Sequence, residues 1–183
     1  MKKRTGFVGM GILTLLVSAQ VPAMAQDVMR PDGFGPLRIG MSQAQVDEAM
    51  GPPSAEDQAY SEGCLYYRPA NAPESLLVMT EGGVLTRITA MGDADVRTSE
   101  GIKLGDDIEP LKDRFSAKAG WTPHVYAEPH AGYLIFWADG VKRGPEFYDA
   151  EGALGTVVEA NTDGKVAFIH VGTPSIQYVE GCS

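Results

Sequence analysis

Histidine offers the widest range of chemistry of any residue type in this sequence, and the chain has three: His124, His130 and His170. His124 and His130 are six residues apart in a proline-containing segment. They therefore lack the i, i+4 spacing that places two metal ligands on one helix face. No HExxH or CxxC sequence accompanies them, so the pattern does not favour a zinc site. His170 closes an apolar run, where we expect a half-exposed strand residue.

Other catalytic signatures are missing from the sequence. No G-x-S-x-G segment is present to supply a hydrolase nucleophile. The pair Asp93 and Asp95 lacks the remaining positions of a calcium loop, and Asp106 with Asp107 is more simply explained as a helix cap. We therefore predict a protein that is not an enzyme and uses no metal or cofactor.

The first 25 residues have the pattern of an export signal. Three basic residues at 2–4 precede an apolar run over 7–21, which ends near Ala23-Met24-Ala25 and predicts cleavage after Ala25. The run is shorter than about 18 residues and contains polar side chains, which disfavours a membrane anchor. We expect a periplasmic or secreted protein without stable membrane insertion.

The charge of the chain is acidic, with a formal value of −9 at pH 7. Three of its basic residues belong to the predicted signal, so the exported protein is more acidic still. This balance argues against nucleic acid and anionic lipid as partners. A basic protein or a cation would be attracted, although solubility alone also explains the charge.

A short motif occurs twice. Residues 37–42 (LRIGMS) are matched 65 positions later by residues 102–107 (IKLGDD), and residues 85–88 are matched 81 positions later by 166–169. A repeat of this length is a whole supersecondary unit. We expect the matched apolar positions to be buried: Leu37, Ile39, Val46, Met50, Ile102, Leu104, Leu111 and Phe115.

Each copy is predicted to hold one helix followed by three strands. In the first copy, Ser42 and Gln45 form a capping box, and Asp107 takes the place of Ser42 in the second. Turn signals at 81–83 and 162–164 indicate hairpins. The predicted strands are 64–68, 75–80 and 84–91 in the first copy, and 133–138, 156–161 and 165–171 in the second.

These elements predict an α+β fold. Residues 26–34 form an N-terminal extension, residues 35–101 the first repeat and residues 102–183 the second. The two helix-plus-antiparallel-hairpin repeats are expected to form one sheet with pseudo-two-fold symmetry and helices on one face. An even number of cysteines in an exported chain favours a disulfide. The two-fold relation places the tail with Cys182 beside the strand with Cys64, so we predict this bond.

Aromatic residues of the first strand in each copy are the candidates for binding. Tyr66-Tyr67 aligns with Phe136-Trp137, and successive strand residues alternate between faces, so Tyr67 and Trp137 are expected to share one face. We predict that this pair is exposed, since the polar tips of the two rings suit a wet surface, and that Arg87 joins it.

Residues 139–154 are extra in the second copy and include Phe147 and Tyr148. Loops on a rigid scaffold often carry function, so both residues are further binding candidates. A tolerated surface insertion is an equally good interpretation of this segment.

The motifs at 37–42 and 102–107, each followed by a helix and a hairpin, resemble the repeats of the β-lactamase inhibitory protein and of the small outer-membrane lipoproteins of the β-barrel assembly machinery. The resemblance implies a protein that binds other proteins, as an inhibitor or a scaffold. We therefore expect a protein partner in the cell envelope or outside the cell, bound through the sheet. The alternative is a glycan bound by Tyr67 and Trp137.

Overall fold

The structure is a computed structural model that describes residues 28–127 and 129–182, without the side chains of residues 55–60. The predicted export signal and its cleavage site lie outside the described residues. Within the part that is described, none of the helices combines the length and the apolar character needed to cross a membrane.

The described residues form twelve strands, two α-helices and one short 3₁₀ helix. The first half contains β1 Val28–Met29, β2 Gly33–Phe34, β3 Leu37–Arg38, α1 Gln43–Met50, β4 Pro53–Ser61, β5 Cys64–Pro69, β6 Leu76–Glu81, β7 Val84–Met91 and β8 Arg97–Thr98. The second half contains α2 Ile108–Arg114, β9 Gly120–Pro123, β10 Gly132–Trp137, β11 Gly155–Ala160, β12 Val166–Gly172 and the 3₁₀ helix Pro174–Gln177.

The main sheet has eight strands in the order β4-β5-β6-β7-β12-β11-β10-β9. All neighbours in this sheet are antiparallel, and the predicted α+β class is confirmed. Each half is a four-strand meander, and the last strands of the two halves pair at the centre, where Ile88 lies opposite Val171.

The two edge strands, β4 and β9, are absent from the prediction. The sequence of β4 is mostly polar after Pro53, and β9 is only four residues long and ends in Pro123. Neither segment shows the alternation of apolar and polar residues by which strands are recognised. Edge strands are often short, polar or proline-containing, because these features discourage pairing with another chain.

The two helices begin differently. In α1 the predicted capping box is present: the Ser42 hydroxyl accepts a bond from the Gln45 N–H at 3.4 Å, and the Ser42 N–H donates to Gln45 Oε1 at 2.8 Å. At α2 the side chain of Asp107 makes no capping bond. Asp107 pairs with Lys165 at 2.7 Å instead, and Asp106 accepts a bond from the Lys103 N–H. Asp107 therefore occupies the expected N-cap position of α2 but makes no capping bond with its side chain.

One face of the sheet, called the inner face here, packs with both helices in the main hydrophobic core. Val46 of α1 and Leu111 of α2 belong to the same buried cluster as sheet residues Val78, Ile88 and Ile169. Of the eight positions expected to be buried, five are buried, namely Leu37, Val46, Ile102, Leu111 and Phe115. The other three, Ile39, Met50 and Leu104, are partly buried and pack against this cluster.

The opposite face, called the outer face here, is covered by two segments of irregular chain. The C-terminal tail runs from β12 across β7 and ends at Cys182, which is bonded to Cys64 with a Cα–Cα distance of 5.5 Å. The predicted disulfide is therefore confirmed. Residues 139–154 cover the other part, and together the two segments enclose a small second core of Trp137, Val157 and Ile176.

Candidate functional site

Tyr67, which was predicted to be exposed, is completely buried on the inner face. Its hydroxyl accepts a hydrogen bond from Gln43 Nε2 at 2.6 Å, and burial raises the pKa of this hydroxyl. Tyr67 therefore joins the sheet to α1, and the prediction that it forms part of an exposed pair is wrong.

Strand register explains the error. Tyr66 lies opposite Met79, which lies opposite Arg87, and the same cross-strand row continues through Gly172 and Gly155 to Trp137. Tyr66, Arg87 and Trp137 thus share the outer face, whereas Tyr67 falls in the row of Phe136. A shift of one residue moves a side chain to the opposite face of a sheet, so the alignment of Tyr67 with Trp137 joined residues from opposite faces.

Arg87 lies on the predicted face but is only 3% exposed. Its guanidinium donates to the carbonyl oxygens of Tyr178 at 2.9 Å and Ser175 at 3.3 Å. It also lies over the ring of Tyr66, with 4.9 Å to the centroid. Arg87 therefore fixes the C-terminal tail to the sheet, and the tail covers it from above.

Residues 139–154 are fixed to the outer face through Tyr148. The Tyr148 ring packs edge-to-face on Trp137 with centroids 4.7 Å apart, and the backbone of Tyr148 exchanges two hydrogen bonds with the Gln177 side chain. The Arg143 guanidinium lies 3.8 Å from the centroid of the Tyr148 ring. Its hydrogen bond to Asp139 lowers the pKa of that carboxyl to about 2. Trp137 and Tyr148 thus act mainly in packing.

Phe147, the remaining candidate in this loop, is 54% exposed and stacks on Tyr178 of the tail with centroids 5.9 Å apart. It lines a cavity of about 120 Å³ whose floor is formed by outer-face residues of β10 and β11, among them Ile135 and Val157. Val125 and Val179 close the cavity from two other segments.

Exposed apolar side chains line this cavity or adjoin the residues that line it. Within residues 28–127 and 129–182 seven large hydrophobic residues are exposed. Three of them, Val125, Phe147 and Val179, line the cavity; Tyr178 stacks on Phe147, and Tyr126 follows Val125 in the chain. We call these five the outer patch: Val125, Tyr126, Phe147, Tyr178 and Val179. The other two, Val84 and Val141, do not line the cavity.

Beside the outer patch lies a row of hydrogen-bonded polar groups. His170 meets the Thr89 hydroxyl through Nδ1 at 2.9 Å and Glu159 through Nε2 at 3.2 Å. The ring of His124 stacks on Tyr133 with centroids 5.3 Å apart, and the Nε2 of His124 lies 4.0 Å from Glu159. Burial lowers the pKa of His170, and burial, followed by the charge of Glu159, raises that of Tyr133.

This row does not have the arrangement of a catalytic centre. The Thr89 hydroxyl, the His170 imidazole and the Glu159 carboxylate are linked by hydrogen bonds, in that order. Thr89 is fully buried in the sheet, so no substrate can approach its oxygen. His170, expected to be half-exposed, is also buried. No group of three or more histidine, cysteine, aspartate or glutamate side chains suited to hold a metal ion occurs in the described parts of the chain.

Comparison with known proteins adds no relative: no protein-family model, curated protein or solved structure matches this chain. The resemblance to the β-lactamase inhibitory protein and to the assembly-machinery lipoproteins therefore stays a prediction.

Sequence reasoning found one of the five residues of the outer patch, Phe147. It missed Val125 and Tyr126, which lie in the proline-containing segment that was considered only for its histidines. It also missed Tyr178 and Val179, which lie in the tail that was considered only for Cys182. The signal that was available is that these side chains are large and apolar in segments without strand alternation.

Proposed function

We propose that this chain is an exported, non-enzymatic protein that binds a protein partner through the outer patch. One observation carries the proposal: exposed apolar side chains from three separate segments converge on one cavity. Contiguous apolar surface of this kind costs solubility and marks interaction sites. Three of the five residues are aromatic, which is the composition of the anchors that dominate binding energy at protein interfaces.

The outer patch is also well fixed before binding. In the tail, the Tyr178 carbonyl accepts a hydrogen bond from Arg87, and Val179 lies between this point and the disulfide at Cys182. Its loop residue Phe147 is next to Tyr148, which is bonded to Gln177 of the tail. A surface that is ordered before association loses less conformational entropy on binding. This order supports a specific interface over a nonspecific sticky surface.

The acidic charge of the protein indicates which charge is expected around the apolar surface of the partner. Glu146 and Glu180 are exposed and adjoin patch residues in the sequence, and the whole chain is acidic. Opposite charges at the rim of an interface speed association and select partners. We therefore expect the partner to present an apolar or aromatic surface with basic residues around it.

The two halves are proposed to be copies of one unit related by a pseudo-two-fold axis, with repeats at 35–101 and 102–183. Support comes from backbone bonds at the same offsets of 65 and 81 residues as the sequence motifs. Three backbone hydrogen bonds of the first half each have a counterpart in the second half. The bond from Gly40 N to Leu85 O matches that from Gly105 N to Val166 O, and the bond from Leu85 N to Met41 O matches that from Val166 N to Asp106 O. The bond from Gln43 N to Gly83 O matches that from Ile108 N to Gly164 O. This arrangement is also the basis on which the resemblance to the β-lactamase inhibitory protein is proposed.

The glycan alternative required an exposed platform of Tyr67 and Trp137. Tyr67 is fully buried, and Trp137 is 6% exposed beneath Tyr148. No specific observation now favours a glycan over a protein partner, so only the protein partner is proposed.

The proposal is tested by changing the outer patch without changing the fold. The variant Tyr126→Ser/Phe147→Ser/Val179→Ser removes three anchors, and Val84→Ser/Val141→Ser removes two exposed apolar residues elsewhere as a matched control. Each immobilised protein is exposed to envelope extract, and bound proteins are quantified by mass spectrometry. We expect one protein to bind the wild type and the control, and its recovery to fall at least about tenfold with the patch variant. Equal recovery by all three would refute the proposal.

A further inference from the structure

The cavity at the outer patch is small and mostly apolar. It encloses about 120 Å³, and most of the residues that line it are valine, isoleucine, proline or phenylalanine. Val125, Phe147 and Val179 are exposed, whereas Val157 and Ile176 are buried. The cavity therefore leads from the protein surface down to the outer face of the sheet.

The polar residues of this cavity offer little to a polar ligand. The Gln177 side-chain nitrogen donates to the carbonyl oxygens of Tyr148 at 2.8 Å and Pro174 at 3.1 Å, and its oxygen accepts from the Tyr148 N–H at 3.1 Å. The Tyr133 hydroxyl is shielded from solvent, which leaves the hydroxyl of the partly exposed Thr122. A charged group or a sugar would lose its hydration here without equivalent hydrogen bonds in exchange, so the space suits an apolar group.

The volume limits the occupant to one side chain. An engineered apolar cavity of about 150 Å³ accepts a benzene molecule, and sites for drug-sized molecules begin at about 300 Å³. A cavity of about 120 Å³ therefore has room for the end of a leucine or phenylalanine side chain. It has no room for the larger bicyclic ring of tryptophan or for a segment of peptide backbone.

Charge distinguishes between the proteins that could supply this side chain. Glu146 is exposed and precedes Phe147 of the cavity wall, and the whole chain has a formal charge of −9. A two-fold contact between two copies would bring the same acidic surface against itself, and like charges that face each other disfavour association. A different protein with basic residues beside its apolar side chain meets no such penalty.

We propose that this cavity is the anchor site of the outer patch, and that it takes one leucine or phenylalanine side chain which the partner presents between lysine or arginine residues. The inference rests on the proposed function and specifies it, because the outer patch supplies contact area and the cavity selects the side chain. Burial of one side chain of this size corresponds to about a tenfold to hundredfold gain in affinity.

Short peptides test the size limit. Four acetylated tripeptide amides share the sequence Lys-X-Lys, with alanine, leucine, phenylalanine or tryptophan at X, and their affinities are measured by titration of the amide signals in NMR spectra. We expect the leucine and phenylalanine peptides to bind at least about tenfold more tightly than the alanine peptide, and the tryptophan peptide to bind more weakly than the phenylalanine peptide.

Three results of this titration would overturn the proposal. The first is an affinity that rises from alanine through phenylalanine to tryptophan, because that order indicates an apolar surface without a size limit. The second is an equal affinity for all four peptides, and the third is no binding of the leucine and phenylalanine peptides at millimolar concentrations.

The basic neighbours are tested with a Glu-Phe-Glu peptide of the same form. At low salt it should bind at least about threefold more weakly than Lys-Phe-Lys, because its charges repel the acidic surface. Equal affinities of the two peptides would overturn the assignment of basic residues to the partner.

Variants that fill the cavity locate the binding. Ile135 is a partly exposed residue of the cavity floor, so Ile135→Trp should reduce the affinity for Lys-Phe-Lys at least about tenfold. Leu77→Trp, at a partly exposed position of β6 that does not line the cavity, should leave it unchanged. Thr122→Phe fills the cavity from β9 as a second variant, and melting temperatures identify the folded proteins. Binding that survives in the folded filling variants would overturn the proposal.

Failure of the anchor site and failure of the proposed function give different results in envelope extract. We expect Ile135→Trp to lose the partner as the variant Tyr126→Ser/Phe147→Ser/Val179→Ser does. Loss of the partner by the triple variant alone refutes the anchor site and leaves the outer patch standing. Retention of the partner by both variants refutes the proposed function together with the anchor site.

Discussion

The outer face of the sheet is covered differently over its two halves. Over β5 to β7 the C-terminal tail lies flat, held by Arg87 and by the Cys64–Cys182 bond. Over β9 to β11 the tail meets the 139–154 loop, and the two segments leave an apolar cavity with an exposed rim. The inner face, in contrast, is one continuous core across both halves. The regular elements therefore build the scaffold, and the segments in which the halves differ form the surface that is proposed to bind a partner.

The largest expected effect separates the two faces at adjacent residues. Tyr67→Ala should lower the free energy of unfolding by about 3 to 5 kcal/mol, because it removes a fully buried ring from the core. Tyr66→Ala should cost about 1 kcal/mol, since it removes a partly buried ring and its contact with Arg87. Urea unfolding of both variants measures the difference, and equal losses would contradict the assignment of the faces.

The next effect concerns the half of the outer face that the C-terminal tail covers. Cys182→Ser should lower the free energy of unfolding by about 2 to 5 kcal/mol, because the bond closes a loop across 118 residues. A reductant should lower the melting temperature of the wild type by a similar amount and leave that of the variant unchanged. A variant that still responds to reductant would show that another process is being measured.

A smaller effect depends on pH. Burial lowers the pKa of His170 in the folded protein, so the unfolded chain takes up a proton first as the pH falls below about 6.5. Stability is therefore fully present above that pH and declines below it, by at most about 1.4 kcal/mol per pH unit for one group.

His170→Gln should flatten this decline, whereas His130→Gln, at an exposed histidine, should not. Urea midpoints between pH 5 and pH 8 give the slopes. The same slope in both variants would assign the decline to groups other than His170.

The smallest effect on stability is expected at the outer patch. Phe147→Ser should change the free energy of unfolding by less than about 0.5 kcal/mol, because the ring is mostly exposed. Tyr148→Ala should cost about 1 to 2 kcal/mol, since it removes the packing on Trp137. Thermal unfolding compares the two. A large loss for Phe147→Ser would mean that this residue is part of the fold and not of a binding surface.

Much of the scaffold could be predicted from local signals. The capping box at Ser42 and the glycine turns mark where elements begin and end. The even number of cysteines and the expected return of the tail to the strand of Cys64 predicted the Cys64–Cys182 disulfide. The edge strands β4 and β9 could not be predicted, because polar or very short strands carry no periodic pattern.

The candidate site was harder to predict, because it depends on register and on irregular chain. The sequence Tyr66-Tyr67 does not indicate which of the two rings faces the helices, and a shift of one residue in the strand register exchanges their faces. Convergence of Val125, Phe147 and Val179 on one cavity depends on three segments that are distant in sequence. Only the assembled structure brings such residues together.

The most direct test of the proposed binding surface is photo-crosslinking in the cells that produce the protein. A benzophenone amino acid replaces Tyr126, Phe147, Val84 or Val141, one position at a time, and adducts are identified after irradiation. We expect the same partner protein to be crosslinked at Tyr126 and at Phe147, and not at Val84 or Val141. Adducts of equal yield at all four positions, or only at Val84 and Val141, would contradict the assignment of partner binding to the outer patch.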